Sequence, residues 1–117
     1  MQSSDSAFTE NHVLELRKRL LKACLAPTIL VLLMEKNVAS ATNIIAFLRK
    51  RYDIQLSAGT VYPVLYSLER DGKIRITYNR ITRIYILTNK GRLLIENIQK
   101  ESESLHTLIT ELIGKQQ

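Results

Sequence analysis

The chain has 117 residues with a hydrophobic fraction of 45%, and its formal net charge at pH 7 is +6. This length predicts one small domain, and the longest apolar run, residues 23–34, is too short to cross a bilayer. The single cysteine excludes an intramolecular disulfide and a multi-cysteine metal site, and we expect neither a metal nor a cofactor.

The positive charge is concentrated in the middle of the chain. Residues 49–92 carry ten lysines and arginines against three acidic residues, a net charge of +7. Residues 1–48 have a net charge of +1 and residues 93–117 a net charge of −2. A focused basic region of this kind predicts a polyanionic partner.

The N-terminal part predicts one exposed segment and two helices. Residues 1–9 are polar and are expected to be disordered. A first helix is predicted from Glu10 to about Leu25, with Cys24 on its apolar stripe as a buried, unreactive thiol. Pro27 either kinks this helix or begins a new one, and residues 28–36 predict the most buried helix. The other members of the first stripe are Val13, Leu16, Leu20 and Leu21.

The next two helices are predicted to form a helix-turn-helix pair. Ser40 is expected to cap a helix over Ala41–Tyr52, and Ser57 is expected to cap a helix that ends at Arg70. One face of the second helix is apolar and is assigned to the core; it carries Val61, Val64, Leu65 and Leu68. The opposite face is small, aromatic and basic, which is typical of a helix in a nucleic-acid groove. A merely solvated face is the alternative for this pattern.

A short basic hairpin follows the Asp71-Gly72 helix stop. Ile74, Ile76 and Tyr78 alternate with polar residues, and residues 79–82 predict the turn. In the second strand Ile84 and Ile86 alternate with Arg83, Tyr85 and Leu87. A helix followed by such a hairpin is the second half of a winged helix-turn-helix. The predicted fold class is therefore mainly α with a small β-hairpin (α+β), with a DNA-binding domain over residues 10–88.

Residues 89–117 are predicted to be a long C-terminal dimerisation helix. Thr88 caps a helix from Asn89 to about Ile113, and Glu101 interrupts its apolar heptads. Because such a rod, about 37 Å long, exceeds what a small domain covers, we expect it to pair with a second copy. Folding back on the first helix of the same chain is the alternative. The predicted dimerisation residues are Leu94, Ile98, Leu105, Leu108 and Leu112.

Two segments of the sequence, GTVYPVLYSLERDGKI and RIYILTNKG, resemble the PadR family of winged-helix transcriptional regulators. The resemblance covers roughly residues 24–98. It implies that Thr60, Tyr62 and Pro63 belong to the start of the recognition helix. It also implies that Tyr85, Thr88 and Gly91 form the junction between the wing and the last helix. At the start of the second helix the family commonly has a Gly-Tyr pair where this chain has Ala41-Thr42, so a small-molecule effector stays unknown.

The predicted DNA-binding residues form three groups. On the recognition helix they are Ser57, Gly59, Thr60, Tyr62, Pro63, Tyr66, Ser67 and Arg70. On the wing they are Arg75, Thr77, Asn79, Arg80, Thr82 and Arg83. Candidates for contacts with the DNA backbone are Asn43, Lys50, Arg51, Lys73 and Lys90. For Arg49-Lys50-Arg51 the alternative is a solvated charge run at a helix C-terminus.

These observations predict a sequence-specific, dimeric regulator of transcription, by the resemblance a repressor. Its recognition helix would enter the major groove of duplex DNA and its wing the adjacent groove. With no visible secretory signal, we expect a cytoplasmic, nucleoid-associated protein. Two alternatives are an architectural or plasmid-partition protein that coats DNA and a winged-helix protein-interaction module. An enzyme is not expected, because no phosphate loop or nucleophile triad is present and His12 and His106 stand alone.

Overall fold

The computed structural model describes the backbone of residues 2–114 and the side chains of residues 6–114. Six helices and three strands follow one another in this part of the chain. In order they are α1 (Gln2–Ala23), α2 (Leu25–Lys36), β1 (Val38–Ala39), α3 (Ala41–Tyr52), α4 (Ala58–Arg70), β2 (Ile74–Asn79), β3 (Thr82–Leu87), α5 (Asn89–Lys100) and α6 (Ser102–Ile113). The predicted fold class, mainly α with a winged helix-turn-helix, is confirmed.

None of the described helices is both long enough and apolar enough to span a membrane.

The core lies between α2, the helix-turn-helix pair and the base of the hairpin. α2 contributes five buried residues, as expected of the most buried helix. The predicted inner face of α4 is confirmed, with Val61, Leu65 and Leu68 buried and Val64 half-buried. From α5, Ile95 completes this single cluster.

The hairpin is part of a three-stranded antiparallel sheet in the order β1-β3-β2. β1 pairs Val38 with Ile86 and Ala39 with Tyr85. Two residues are too few to show a period-two pattern, so this strand was not predicted from the sequence. The extra strand covers the second edge of β3 and ties the wing to the segment between α2 and α3.

The register of the hairpin reverses one sequence prediction. Tyr85 is only 2% exposed, whereas Ile84 and Ile86 are half-buried. Tyr85 lies opposite Ile76 and therefore shares its face of the sheet. The prediction that Ile84 and Ile86 form the apolar side against Tyr85 was wrong. A tyrosine ring packs in a core as well as an aliphatic chain does, provided that its hydroxyl reaches a polar edge.

The prediction of a disordered N-terminal segment over residues 1–9 was also wrong. α1 begins at Gln2, so residues 2–9 are helical, and residue 1 lies outside the described part of the chain. No glycine or proline precedes Pro27 to end a helix, and the Phe8 and His12 rings pack one turn apart with centroids 4.3 Å from each other. Pro27 lies in the first turn of α2, so it begins a new helix rather than kinking α1.

The apolar stripe of α1 is largely uncovered. Leu21 is buried, but Val13, Leu16 and Leu20 are exposed, so the last helix does not fold back over this stripe. Cys24 is exposed as well, and the prediction of a buried thiol was wrong. Its backbone (φ −99°, ψ 15°) forms the junction at which α1 ends and α2 begins, so Cys24 does not continue the helical stripe of α1.

The C-terminal rod is broken into two helices at Glu101. The Glu101 backbone (φ −98°, ψ 11°) donates its amide to the Ile98 carbonyl, at 3.0 Å, instead of the carbonyl four residues back. The prediction of one continuous helix was therefore wrong. α5 turns Leu94, Ile95 and Ile98 toward its own core, whereas α6 leaves its leucines exposed. Of the predicted segment 89–117, residues 115–117 lie outside the described part.

Candidate nucleic-acid interface

The outer face of α4 is exposed and aromatic. Tyr66 is 66% exposed and lies opposite the buried face of the helix, and Tyr62, 46% exposed, lies on its flank. Pro63 has no amide hydrogen, so the Gly59 carbonyl has no donor from the next turn of the helix. Together these residues present phenol hydroxyls that can donate to phosphates or base edges.

Both helices of the helix-turn-helix pair begin at a serine. Ser40 forms a capping box with Asn43, in which the Asn43 amide donates to Ser40 Oγ and the Ser40 amide donates to Asn43 Oδ1, both at 3.1 Å. Asn43 is thus engaged in ordering α3. Ser57 Oγ lies 3.2 Å from Thr60 Oγ1, so the two hydroxyls predicted at the start of α4 are brought together.

The wing carries two arginines near its tip, one in the turn itself and one just after it. The two-residue turn between β2 and β3 consists of Arg80 and Ile81, and Arg80 has a left-handed backbone (φ 61°). Ile81 is 96% exposed. Asn79 and Thr82 are cross-strand partners that close the turn. The wing tip is therefore a compact, cationic and partly apolar point.

The two faces of the wing differ in what they can reach. Arg83 is the cross-strand partner of Tyr78, and this face of the sheet is turned toward α4. Arg75 and Thr77 lie opposite Ile86 and Ile84, on the other face. The structure thus brings Arg83 next to α4 and places Arg75 and Thr77 away from it.

Between α4 and the wing runs a cleft, which we call the α4–wing cleft. Tyr62, Arg83 and Tyr85 line its whole length. At one end it is bounded by the first residues of α3 and the wing tip, and at the other end by Leu65, Tyr66, Glu69 and Ile76. The neighbouring side chains of Tyr85 and then Tyr78 raise the pKa of Arg83 above its ordinary value. The cleft thus combines a cation with several phenol groups.

A second basic cluster surrounds the end of α4. Arg70 Nε donates to Asp71 Oδ1 at 3.2 Å, so this predicted anchor already has a carboxylate partner. This hydrogen bond, followed by the charges of Lys73 and Lys90, holds the pKa of Asp71 below its ordinary value. Arg70, Lys73 and Lys90 are therefore brought together around one acid.

The cations at the end of α3 lie elsewhere. The Arg51 guanidinium is 5.9 Å from the centroid of the Phe47 ring, and Lys36 Nζ is 5.9 Å from the same centroid. Arg51 also lines a separate apolar cavity between α2, α3 and the α5–α6 segment. Lys50 is exposed on the last turn of α3. The α4–wing cleft includes neither of these two predicted contacts.

A hydrogen-bonded junction fixes the base of the wing. Thr88 Oγ1 donates to the Gly72 carbonyl at 2.7 Å and accepts from the Gly91 amide at 3.1 Å, and the Thr88 amide donates to the Lys73 carbonyl at 3.2 Å. A Cβ on Gly91 would overlap the Lys73 carbonyl. These contacts explain physically why threonine and glycine stand where the resemblance placed the wing-to-helix junction.

Sequence reasoning missed three residues of this interface. It left out Tyr78 and Ile81, and it treated Tyr85 only as part of the junction. The hairpin itself contained the signal, because a two-residue turn between Asn79 and Thr82 places Tyr78 opposite Arg83 and puts Tyr85 on the same face. Among the described residues, no group of three or more His, Cys, Asp or Glu side chains is placed to hold a metal ion.

Comparisons with known proteins agree with this geometry. The model of the family described as "Transcriptional regulator PadR-like family" matches residues 29–97. A transcriptional regulator from Clostridium thermocellum has a similar structure, with a TM-score of 0.73 and 21% identity over 82% of this chain and 99% of that chain. A PadR family transcriptional regulator from Eggerthella lenta has a TM-score of 0.72 and 20% identity over 99% of this chain and 100% of that chain. A PadR-like transcriptional regulator from Bacillus cereus has a TM-score of 0.70 and 20% identity over 84% of this chain and 99% of that chain. At these identities the structural likeness shows the fold. No curated protein sequence matched the chain.

Proposed function

Since the chain belongs to the PadR-like family of transcriptional regulators, we propose that it is a sequence-specific, dimeric regulator that acts as a repressor. Its partner is double-stranded DNA, with α4 in the major groove and the wing in the adjacent groove. A protein that acts in this way resides on the nucleoid in the cytoplasm.

The observation that supports this proposal is that the α4–wing cleft is formed mostly by the basic part of the sequence. The exposed phenols of Tyr62 and Tyr66 lie beside the cation of Arg83, and Arg80 extends the same edge to the wing tip. Arginine guanidinium groups have the donor geometry to bind phosphates, and a major groove about 12 Å wide admits one α-helix.

The second part of the proposal is the dimer, whose seam we place on α6 rather than along the whole predicted helix. Leu94 and Ile98 pack against the core of their own chain. Leu105, Leu108 and Leu112 are exposed on α6. The uncovered stripe of α1 offers a second apolar face. Exposed apolar faces on two helices of one small protein favour burial against a second copy.

The dimer is tested by placing charges in the α6 seam. Leu108→Lys combined with Leu112→Lys should give a monomer in sedimentation equilibrium, because two ammonium groups cannot be buried unpaired. The matched control is Glu103→Lys combined with Thr107→Lys, which places lysines on the opposite face of α6 and should leave the dimer intact. A dimer that persists in the seam variant contradicts an interface through α6.

The DNA part is tested by selecting bound fragments from random duplex DNA. A sequence-specific dimer should yield one palindromic motif whose half-sites are about one helical turn apart. Enrichment of no motif together with continuous footprints would identify an architectural or partition protein instead. Absence of binding at moderate salt would favour a protein-interaction module and overturn the proposal.

A further inference from the structure

Arg83 lies beside three tyrosines on the side of the wing that faces α4. Tyr78 is its cross-strand partner, and Tyr85 follows two residues later on the same face of β3. Tyr62 contributes to the cleft from the side of α4. One arginine is thus placed among phenol groups from two strands and one helix.

Tyr85 differs from the other two tyrosines because its ring is buried. The residue is only 2% exposed and belongs to the hydrophobic core, whereas Tyr62 and Tyr78 are largely exposed. A phenylalanine would supply the same apolar ring to the core. The hydroxyl is the part of Tyr85 that the core does not require, and Tyr85 also lines the cleft that contains Arg83.

We propose that Tyr85, assisted by Tyr78, is a positioning residue of the DNA interface. Its anchored hydroxyl holds the Arg83 guanidinium in the α4–wing cleft before DNA arrives. This inference rests on the proposed function, because it assigns Arg83 a phosphate as its ligand.

Two physical arguments support the assignment. An arginine side chain loses rotational freedom when it binds a phosphate, and an arginine that is already ordered loses less. A guanidinium has five N–H donors, so two phenol oxygens leave donors free for a phosphate. The raised pKa of Arg83, caused first by Tyr85 and then by Tyr78, agrees with the closeness of these phenol groups to the charged side chain.

The first test measures Arg83 in the free protein. Nitrogen relaxation of the Arg83 Nε–H group should show lower order in Tyr85→Phe, and lower still when Tyr78→Phe is added. Tyr52→Phe is the matched control, because this tyrosine lies at the far end of α3 and lines a different cavity. Unchanged order at Arg83 in Tyr85→Phe overturns the inference whatever the protein does with DNA.

The second test measures binding to a short mixed-sequence duplex across a salt series. Tyr85→Phe should weaken binding by about three- to tenfold, which corresponds to one hydrogen bond. It should also lower the log–log salt slope, as Arg83→Gln should. Arg83→Gln removes one phosphate contact, which should lower the slope by about 0.9. In the Arg83→Gln background, Tyr85→Phe should have no further effect on affinity.

The outcomes separate this inference from the proposed function. A tyrosine that merely stabilised the wing would weaken binding equally in both backgrounds and would leave the salt slope unchanged, and that result overturns the inference. If Arg83→Gln changes the slope and Tyr85→Phe does not, the inference fails while the proposed function stands. If the unaltered protein does not bind the duplex, the proposed function fails and the assignment of a phosphate to Arg83 fails with it.

Discussion

Replacing two arginines at and beside the wing tip should change DNA binding and leave the stability of the fold nearly unchanged. In Arg80→Gly combined with Arg83→Gln, both cations are lost. Arg80 has a left-handed backbone (φ 61°), which costs a non-glycine residue about 1–2 kcal/mol. Glycine removes that cost but adds about 0.5–1 kcal/mol of unfolded-state entropy, so the free energy of unfolding should stay within about 1 kcal/mol of its original value.

The effect on binding follows from counterion release. If each arginine neutralises one phosphate, each protomer loses about 1.8 from the log–log salt slope, at about 0.9 for each contact. DNA binding weakens when the salt concentration rises from about 50 to about 200 mM. With the slope lowered by about 1.8, this weakening should be about twelvefold smaller than in the original protein. A dimer with both wings bound loses about twice this slope.

The assay is fluorescence anisotropy of a labelled duplex at several salt concentrations, together with thermal denaturation of the same proteins. The matched control is Arg19→Gln combined with Lys22→Gln, which removes two exposed cations from α1 and should leave the slope unchanged. An unchanged slope in the wing variant, with folding intact, refutes a role for the wing in phosphate binding. A slope that falls equally in the α1 variant refutes the assignment of the effect to the wing.

Three further perturbations follow from the same geometry. Gly91→Ala should destabilise the fold by about 1–3 kcal/mol or more in thermal denaturation, because its Cβ would overlap the Lys73 carbonyl. In Gly59→Ala the Cβ meets only Ser57 Oγ, at an ordinary contact distance of 3.7 Å, so this variant should be neutral or stabilising by up to about 1 kcal/mol. The lowered pKa of Asp71 means that its ion pair stabilises the fold above the ordinary carboxyl value of 3.8 and is lost as the pH falls through the lower folded-state value. Denaturant titrations should therefore show a difference in stability between the original protein and Asp71→Asn at neutral pH that disappears well below pH 3.8. Ile81→Thr should weaken DNA binding without changing the salt slope, because the contact that it removes from the wing tip is apolar rather than ionic; an equal affinity would show that the tip does not enter a groove.

The parts of this structure that follow from periodicity were predictable from the sequence. The buried face of α4 shows a clear helical repeat, and the hairpin shows a clear alternation around its turn. For the same reason the outer face of α4 and the arginines of the wing could be named as candidate contacts. Their placement on one cleft needed the register of the hairpin, which puts Arg83 toward α4 and Arg75 away from it.

The features that sequence reasoning missed depend on tertiary contacts. β1 is two residues long and exists only because β3 has an edge to pair with. The break at Glu101 appears where α5 stops packing against its own core. Glu101 interrupts the apolar heptads there, but one polar heptad position does not by itself predict the end of a helix. The burial of Tyr85 was not expected, because the side chain carries a polar hydroxyl. The ring packs in the core, and only the hydroxyl needs to reach a polar edge.

The junction at the base of the wing connects these features mechanically. Thr88 joins the end of α4, through the Gly72 carbonyl, to the first turn of α5. α5 in turn packs against the core that supports α4. α4, the wing and α5 are therefore joined by these hydrogen bonds and by shared core contacts, and α5 ends beyond this unit, at Glu101. In the proposed dimer, the separation of the two recognition helices would follow from the angle at Glu101, while the contacts with each half-site would follow from the α4–wing cleft. Spacing and base contacts would then depend on different residues, so that one can change without the other.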